Sequence, residues 1–269
     1  MILEIVQGEG GVIPAPDNWI REIRRITRDR NIPLIVDEIQ TGFGRTGKLY
    51  AFEHAEITPD VVLLSKAIGG SLPLSVVLYD QALDKWAPGA HADTFRGNQL
   101  AMAAGTATLR YILENRLADH ATAMGDRLMA HLRHIQSESR CMGEVRGRGL
   151  MIGVEIVNRE AQADQRGSYP AHPVLARRIQ TECLRRGLII EIGGRFGSVV
   201  RFLPPLIVTS EQIHSISEIF QAAVKAAEQQ VLPLHQFQVR LRCYYQSTLI
   251  RNENQLSFTA TSLPILRTV

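Results

Sequence analysis

The amino-acid sequence predicts an α/β protein, with a mostly parallel sheet followed by a smaller C-terminal α/β unit. Three observations predict it. Short, continuous apolar runs, Leu34-Ile35-Val36 and Val61-Val62-Leu63-Leu64, have the character of strands buried on both faces. Segments with apolar residues at helical spacing accompany these runs, as the crossovers of a parallel sheet require. After Cys141 the pattern changes to glycine-interrupted strands flanked by helices.

Ile2 to Val6 is a short apolar strand, broken by Gly8, Gly10 and Gly11. Pro14, Pro16 and Asp17 signal entry into a helix with Asp17 as its N-cap, and Trp19, Ile20, Ile23 and Ile26 continue it at helical spacing. Asn31 and Pro33 stop it. The strand at Leu34 runs into Asp37-Glu38, that at Val61 into Ser65-Lys66, and Ser75 to Tyr79 forms a third run. Asn98 to Arg116 and Leu117 to Gln136 read as long packed helices. Glu144 to Val157 reads as a strand pair, Pro173 to Arg186 as a helix, and Leu188 to Glu191 and Val199 to Phe202 as strands. Thr209 and Gln212 make a capping box for a helix ending near Gln230. The predicted organisation is therefore residues 1–115, then 116–230. Residues 231–269, which follow no clean period, are expected to be an atypical tail, disordered or foreign.

A chain of 269 residues can bury a sizeable core. Its 45% hydrophobic and 21% charged residues are those of an ordinary globular protein, and the net charge of +3 is spread along the chain. Arg21, Arg24, Arg25, Arg28 and Arg30 sit at spacings that fit a solvated helix face. No aromatic-interleaved basic motif accompanies them, so no nucleic-acid partner is expected. Cys141, Cys183 and Cys243 are far apart and odd in number, which fits a reducing, cytoplasmic setting and no metal site. No apolar run approaches the roughly 18–20 residues that span a bilayer, and the first residues lack the pattern of a secretory signal.

In an α/β sheet, functional groups collect at the carboxyl ends of the strands. Asp37 and Lys66 stand at two such ends. A lysine amine withdrawn from water is nucleophilic and condenses with aldehydes, and a neighbouring carboxylate can keep a pyridine nitrogen protonated. Spacing alone leaves open a solvent-facing lysine and a turn aspartate. Gly42-Phe43-Gly44-Arg45-Thr46-Gly47 matches the G-x-G-x-x-G dinucleotide pattern. That pattern must open a helix, and here aromatics and a Thr58-Pro59 break follow instead, so nicotinamide binding is not expected.

The segments LEIVQGEGG, LIVDEIQTGFGRTG, PDVVLLSKAIGGSLPLS and TFRGNQLA, in this order, resemble the core of the class III pyridoxal-phosphate-dependent aminotransferases of fold type I. VRGRGLMIGVEI and VVRFLPPLIVT resemble that family's C-terminal domain, and the likeness covers roughly residues 1 to 228. The resemblance implies pyridoxal 5′-phosphate as cofactor, with Lys66 as the lysine that holds it as a Schiff base and moves the proton. It implies that Asp37 pairs with the pyridinium nitrogen and Gln40 contacts the phenolic oxygen. Thr94 would reach the cofactor phosphate of a neighbouring subunit, which implies a homodimer. Arg201 would take the α-carboxylate of 2-oxoglutarate or glutamate, and Glu9 would pair with it when an ω-amine occupies the site.

Within the family, PGAHADTFRGNQLAMAAG looks most like the diaminobutyrate–2-oxoglutarate aminotransferases. The implied reaction moves the terminal amino group of L-2,4-diaminobutyrate to 2-oxoglutarate, or runs in reverse. Ornithine, acetylornithine and 4-aminobutyrate enzymes are the alternatives, as is a non-catalytic fragment. Ile5 and Asp93 depart from the family's usual proline and glycine. The family's usual chain is longer on the N-terminal side, where the phosphate-cradling loop and the ring-stacking aromatic lie, so a partial large domain is expected here.

Overall fold

A computed structural model describes residues 1–92 and 94–229. Asp93, Cys243 and the tail read at 231–269 lie outside the described residues. The chain begins with strand β1 (Ile2–Glu4), followed by the small two-stranded pair β2 (Val6–Gln7) and β3 (Ile13–Pro14) and helix α1 (Asp17–Asp29). Strands β4 (Ile35–Asp37), β5 (Val61–Leu64) and β6 (Val76–Tyr79) come next, then helices α2 (Gln99–Glu114) and α3 (Leu117–Glu138). The remainder is β7 (Met142–Arg148), β8 (Met151–Ile156), α4 (Pro173–Arg185), β9 (Glu191–Gly193), β10 (Val199–Phe202) and α5 (Ser210–Gln229).

These strands form two larger sheets. The first has the order β1-β4-β5-β6, with β1, β4 and β5 parallel and β6 antiparallel to β5. Its register sets Asp37 level with Glu4 on one side and Leu63 on the other. The second has the order β7-β8-β10-β9 and is antiparallel throughout. Val36, Leu34 and Ile5 bury against Ile20 of α1, which is why the apolar run before Asp37 forms a covered strand. The larger core lies on the second sheet, where Leu128 and Leu132 of α3, Ile179 of α4 and Phe220 of α5 pack on Ile152, Ile156 and Phe202. Phe202 and Phe220 meet edge to face at 5.0 Å, a favoured aromatic geometry. Met1–Glu228 cluster as one compact unit.

Several local expectations need correction. Asp17 is the first residue of α1 rather than its cap; Pro16 occupies the cap position with no side-chain hydrogen bond, and the Asp17 carboxylate receives Arg148 at 2.7 Å instead. The strand expected from Ile2 to Val6 divides at Ile5, which is fully buried, and resumes as β2 in a different pairing. Arg24 does not join the solvated arginine face: its guanidinium forks onto both oxygens of Asp60, at 2.5 and 2.9 Å. The strand expected at Leu188 to Glu191 begins only at Glu191, where hydrogen bonding to β10 starts. The capping box at Thr209 and Gln212 forms as expected, through reciprocal bonds of 2.9 and 3.3 Å.

Candidate active site

The carboxyl ends of β4 and β5 are neighbours because those strands are parallel and adjacent. Asp37 closes β4, half-buried, and its Oδ1 accepts the Ile39 N–H at 2.9 Å. Beyond β5, Lys66 opens a short 3-10 turn, Lys66–Gly69, in the left-handed region at φ 52°. A non-glycine residue there is uncommon. Lys66 is exposed, the solvent-facing arrangement that spacing alone left open.

Gln40 and Glu9 come from the two loops beside this edge. Gln40 lies over the Gly8 backbone, where a side chain would collide with its Oε1. Its Nε2 reaches Glu9 Oε1 at 3.5 Å, and its buried Oε1 has no hydrogen-bond partner among the described residues. The Glu9 turn in turn rests on the second sheet. Gly153 of β8 makes this possible: a Cβ there would sit 2.9 Å from the Val12 side chain and 3.1 Å from the Gly11 carbonyl. Arg146 Nε donates to the Val12 carbonyl at 2.9 Å, and the Gly194 N–H donates to the Glu9 carbonyl at 3.0 Å.

So held, the Glu9 carboxylate meets Arg201 of β10 at 2.8 Å, across 192 residues of sequence. Arg201 is 5% exposed, whereas Glu9 is 77% exposed. The Arg201 hydrogen bond holds the Glu9 carboxyl below the usual carboxylate range, against the upward push of burial. The Arg201 charge, Gln40 donation and the Lys66 charge add to this lowering.

The fold thus brings Glu9, Gln40 and Arg201 together, while Asp37 and Lys66 stand at the adjacent ends of β4 and β5. Thr94 stands apart, on an exposed turn before α2. Two residues were missed from the sequence. Glu191 of β9 receives Arg201 Nη2 at 2.8 Å, so the guanidinium is bracketed by two acids. Glu38, beside Asp37, is fully buried, and burial raises its carboxyl. Cross-strand register, which spacing along the chain does not reveal, is the signal that marks Glu191. Among the described residues, no helix is long and apolar enough to cross a membrane, and no cluster of acids, histidines and cysteines could hold a metal ion.

Diaminobutyrate–2-oxoglutarate aminotransferase of Rhizobium meliloti (strain 1021) is 58% identical over 223 residues, covering 83% of this chain and 47% of that protein. The protein of the same name from Haemophilus influenzae (strain ATCC 51907) is 44% identical, covering 83% of this chain and 49% of its own length. The chain therefore spans about half the length of the curated relatives it matches. Among solved structures, ornithine aminotransferase of Toxoplasma gondii, with PLP partly occupying its active site, superposes with a TM-score of 0.75. It is 33% identical, and the match covers 85% of this chain and 51% of that one. The family profile described as aminotransferase class III matches residues 1–224. With parallel strands that carry Asp37 and Lys66 at their ends, in the α/β architecture of fold type I, the chain belongs to the class III aminotransferases.

Proposed function

We propose that this chain carries the amino-transferring centre of a pyridoxal-phosphate enzyme that moves the terminal amino group of L-2,4-diaminobutyrate to 2-oxoglutarate. The observation that carries it is the Arg201–Glu9 pair at 2.8 Å, with Gln40 on the same carboxylate and Lys66 beyond the end of the strand next to that of Asp37. The residues present fit the cofactor. An acid and a primary amine share one sheet edge, and the buried Gln40 Oε1 is free to take a polar partner.

Bound there, pyridoxal phosphate supplies an aldehyde and an electron-withdrawing ring. Lys66 Nζ would anchor it and would carry the proton that leaves the amine-bearing carbon of the donor. Asp37 would keep the cofactor's ring protonated through its negative charge. Arg201 takes the α-carboxylate of 2-oxoglutarate, and Glu9 covers the guanidinium while the donor's amine end is in place. By its family resemblance Thr94 would reach the cofactor phosphate of a second copy of the chain, which makes a homodimer the working form of this proposal. The donor is named from the 58% and 44% identical relatives.

The test uses the full chain mixed with pyridoxal phosphate. An absorbance band near the visible edge is expected, and borohydride reduction should leave a phosphopyridoxyl mass on Lys66. Lys66→Ala should lose the band, the adduct and all amino transfer. Absence of the band from the unmutated chain would sink the proposal. Diaminobutyrate should outperform ornithine and 4-aminobutyrate as donor; preference for either of these would reassign the substrate.

A further inference from the structure

Arg201 is held from two sides. Its Nη1 lies 2.8 Å from Glu9 Oε1, and its Nη2 lies 2.8 Å from Glu191 Oε2. The two acids differ in mounting. Glu9 sits on a turn, whereas Glu191 is the cross-strand partner of Arg201 in the β9–β10 ladder. The strand pair therefore holds the Glu191 backbone beside Arg201, whereas Glu9 is presented from a turn. The guanidinium is also pressed onto β9: a Cβ at Gly193 would lie 2.8 Å from Arg201 Nε and 3.2 Å from Cζ. Nε finds no acceptor among the described residues. Any carboxylate that binds Arg201 thus approaches a group whose Nη2 side is already engaged.

The charge balance follows from elementary counting. One cation between two carboxylates carries a net charge of −1, and moving Glu9 away raises it only to zero. An incoming carboxylate then meets a neutral Arg201–Glu191 pair rather than an open cation, and stands near a second negative group. That weakens its attraction. We propose that Glu191 is a specificity-determining residue, a second acid presented to Arg201 by the adjacent strand that sets how tightly an α-carboxylate acceptor is held. The proposal rests on the assignment of Arg201 as the acceptor's carboxylate site. It goes beyond that assignment by naming a second acid, carried on β9, that weighs on the same guanidinium. The donor half, in which Glu9 covers Arg201, gains nothing from removing the Glu191 charge.

Glu191 is 62% exposed, so its replacement leaves the core intact. Glu191→Gln keeps the length and a hydrogen-bonding oxygen while removing the charge. Calorimetric titration of the cofactor-free chain with 2-oxoglutarate should give a Kd about 3- to 10-fold lower in Glu191→Gln, the size of a partly screened charge interaction. In the holoenzyme the KM for 2-oxoglutarate should fall with it, and the KM for diaminobutyrate should stay unchanged. Glu155→Gln removes an acid of the same sheet that pairs with Arg146 instead, and should alter neither constant. A Kd that is unchanged or higher in Glu191→Gln overturns the proposal, because an acid that merely positions Arg201 would weaken binding when neutralised. Failure of 2-oxoglutarate to bind the unmutated chain and both variants would overturn the assignment of Arg201 itself, and the role of Glu191 with it.

Discussion

Asp37 and Glu38 are consecutive acids at the end of one strand, yet their surroundings differ completely. Glu38 is fully buried; it accepts the Thr41 hydroxyl and, at 3.0 Å, the Phe52 N–H. Burial raises its carboxyl above the ordinary 4.5, outweighing the lowering by Thr41 and the Ala51 and Phe52 amides. A group with a raised native pKa lends stability that is complete below its unfolded value and is lost as pH climbs through the native one. Glu38→Gln retains an acceptor for the amides and does not titrate. Thermal unfolding from about pH 4 to about pH 8 should therefore favour the variant increasingly as pH rises. Parallel melting profiles for the two proteins would show that Glu38 does not titrate on unfolding. The motif that contains both acids was legible in the sequence. Which of them is buried was not, because that depends on how the Thr41–Phe52 loop folds back over the strand end.

At the scale of elements, the turn that presents Lys66 is shaped by helix α2. Gly105 of α2 approaches so closely that a Cβ there would lie 1.9 Å from the Ile68 carbonyl, inside the turn that Lys66 opens. Gly105→Ala gains up to about 1 kcal/mol of helix propensity but forces that backbone apart, which costs about 1–3 kcal/mol or more in a packed site. Urea unfolding should show a net loss of stability, accompanied by weaker retention of pyridoxal phosphate as the Lys66 turn shifts. Thr106→Ala, on the exposed side of α2, should leave both unchanged. The long helices were legible because 13 to 22 residues of periodic sequence carry a strong signal. The short strands were less so. Ile189, in the apolar run read as a strand, is 84% exposed, while the ladder begins at Glu191. Pairing with β10 decided that boundary, and the same pairing created the Arg201–Glu191 contact that local pattern could not announce. Proximity of Glu9 to Arg201 was likewise expected only through family resemblance.

For the molecule as a whole, the question is what makes the two sheets respond together. Arg45, in the glycine-rich loop that follows Gln40, offers an answer. Its Nη1 donates to the Leu150 carbonyl at 3.3 Å and to the Pro204 carbonyl, while its own carbonyl accepts the Leu150 N–H at 3.0 Å. Leu150 lies in the β7–β8 turn, and Pro204 follows the strand that bears Arg201, so one side chain joins the Gln40 loop to the second sheet. Desolvation pushes its guanidinium down to about 10, which leaves it charged at neutral pH. The price of that burial is accepted because two carbonyls would otherwise lack a donor. Arg45→Met keeps the apolar stem and removes the donors, and should lower the free energy of unfolding by about 1–3 kcal/mol. The two tryptophans, Trp19 and Trp86, both fall on the N-terminal side, whereas α3, α4 and α5 pack on the second sheet. Tryptophan fluorescence therefore weights the first sheet, and far-ultraviolet circular dichroism weights the second. In the unmutated chain the two signals should change together during urea unfolding, as expected of a cooperative unit. In Arg45→Met the fluorescence transition should come first, since the smaller core around Ile20 and Val36 loses its tie to the larger one. Coincident transitions in the variant would mean that the surrounding loop contacts, rather than Arg45, couple the cofactor edge to the strand that carries Arg201.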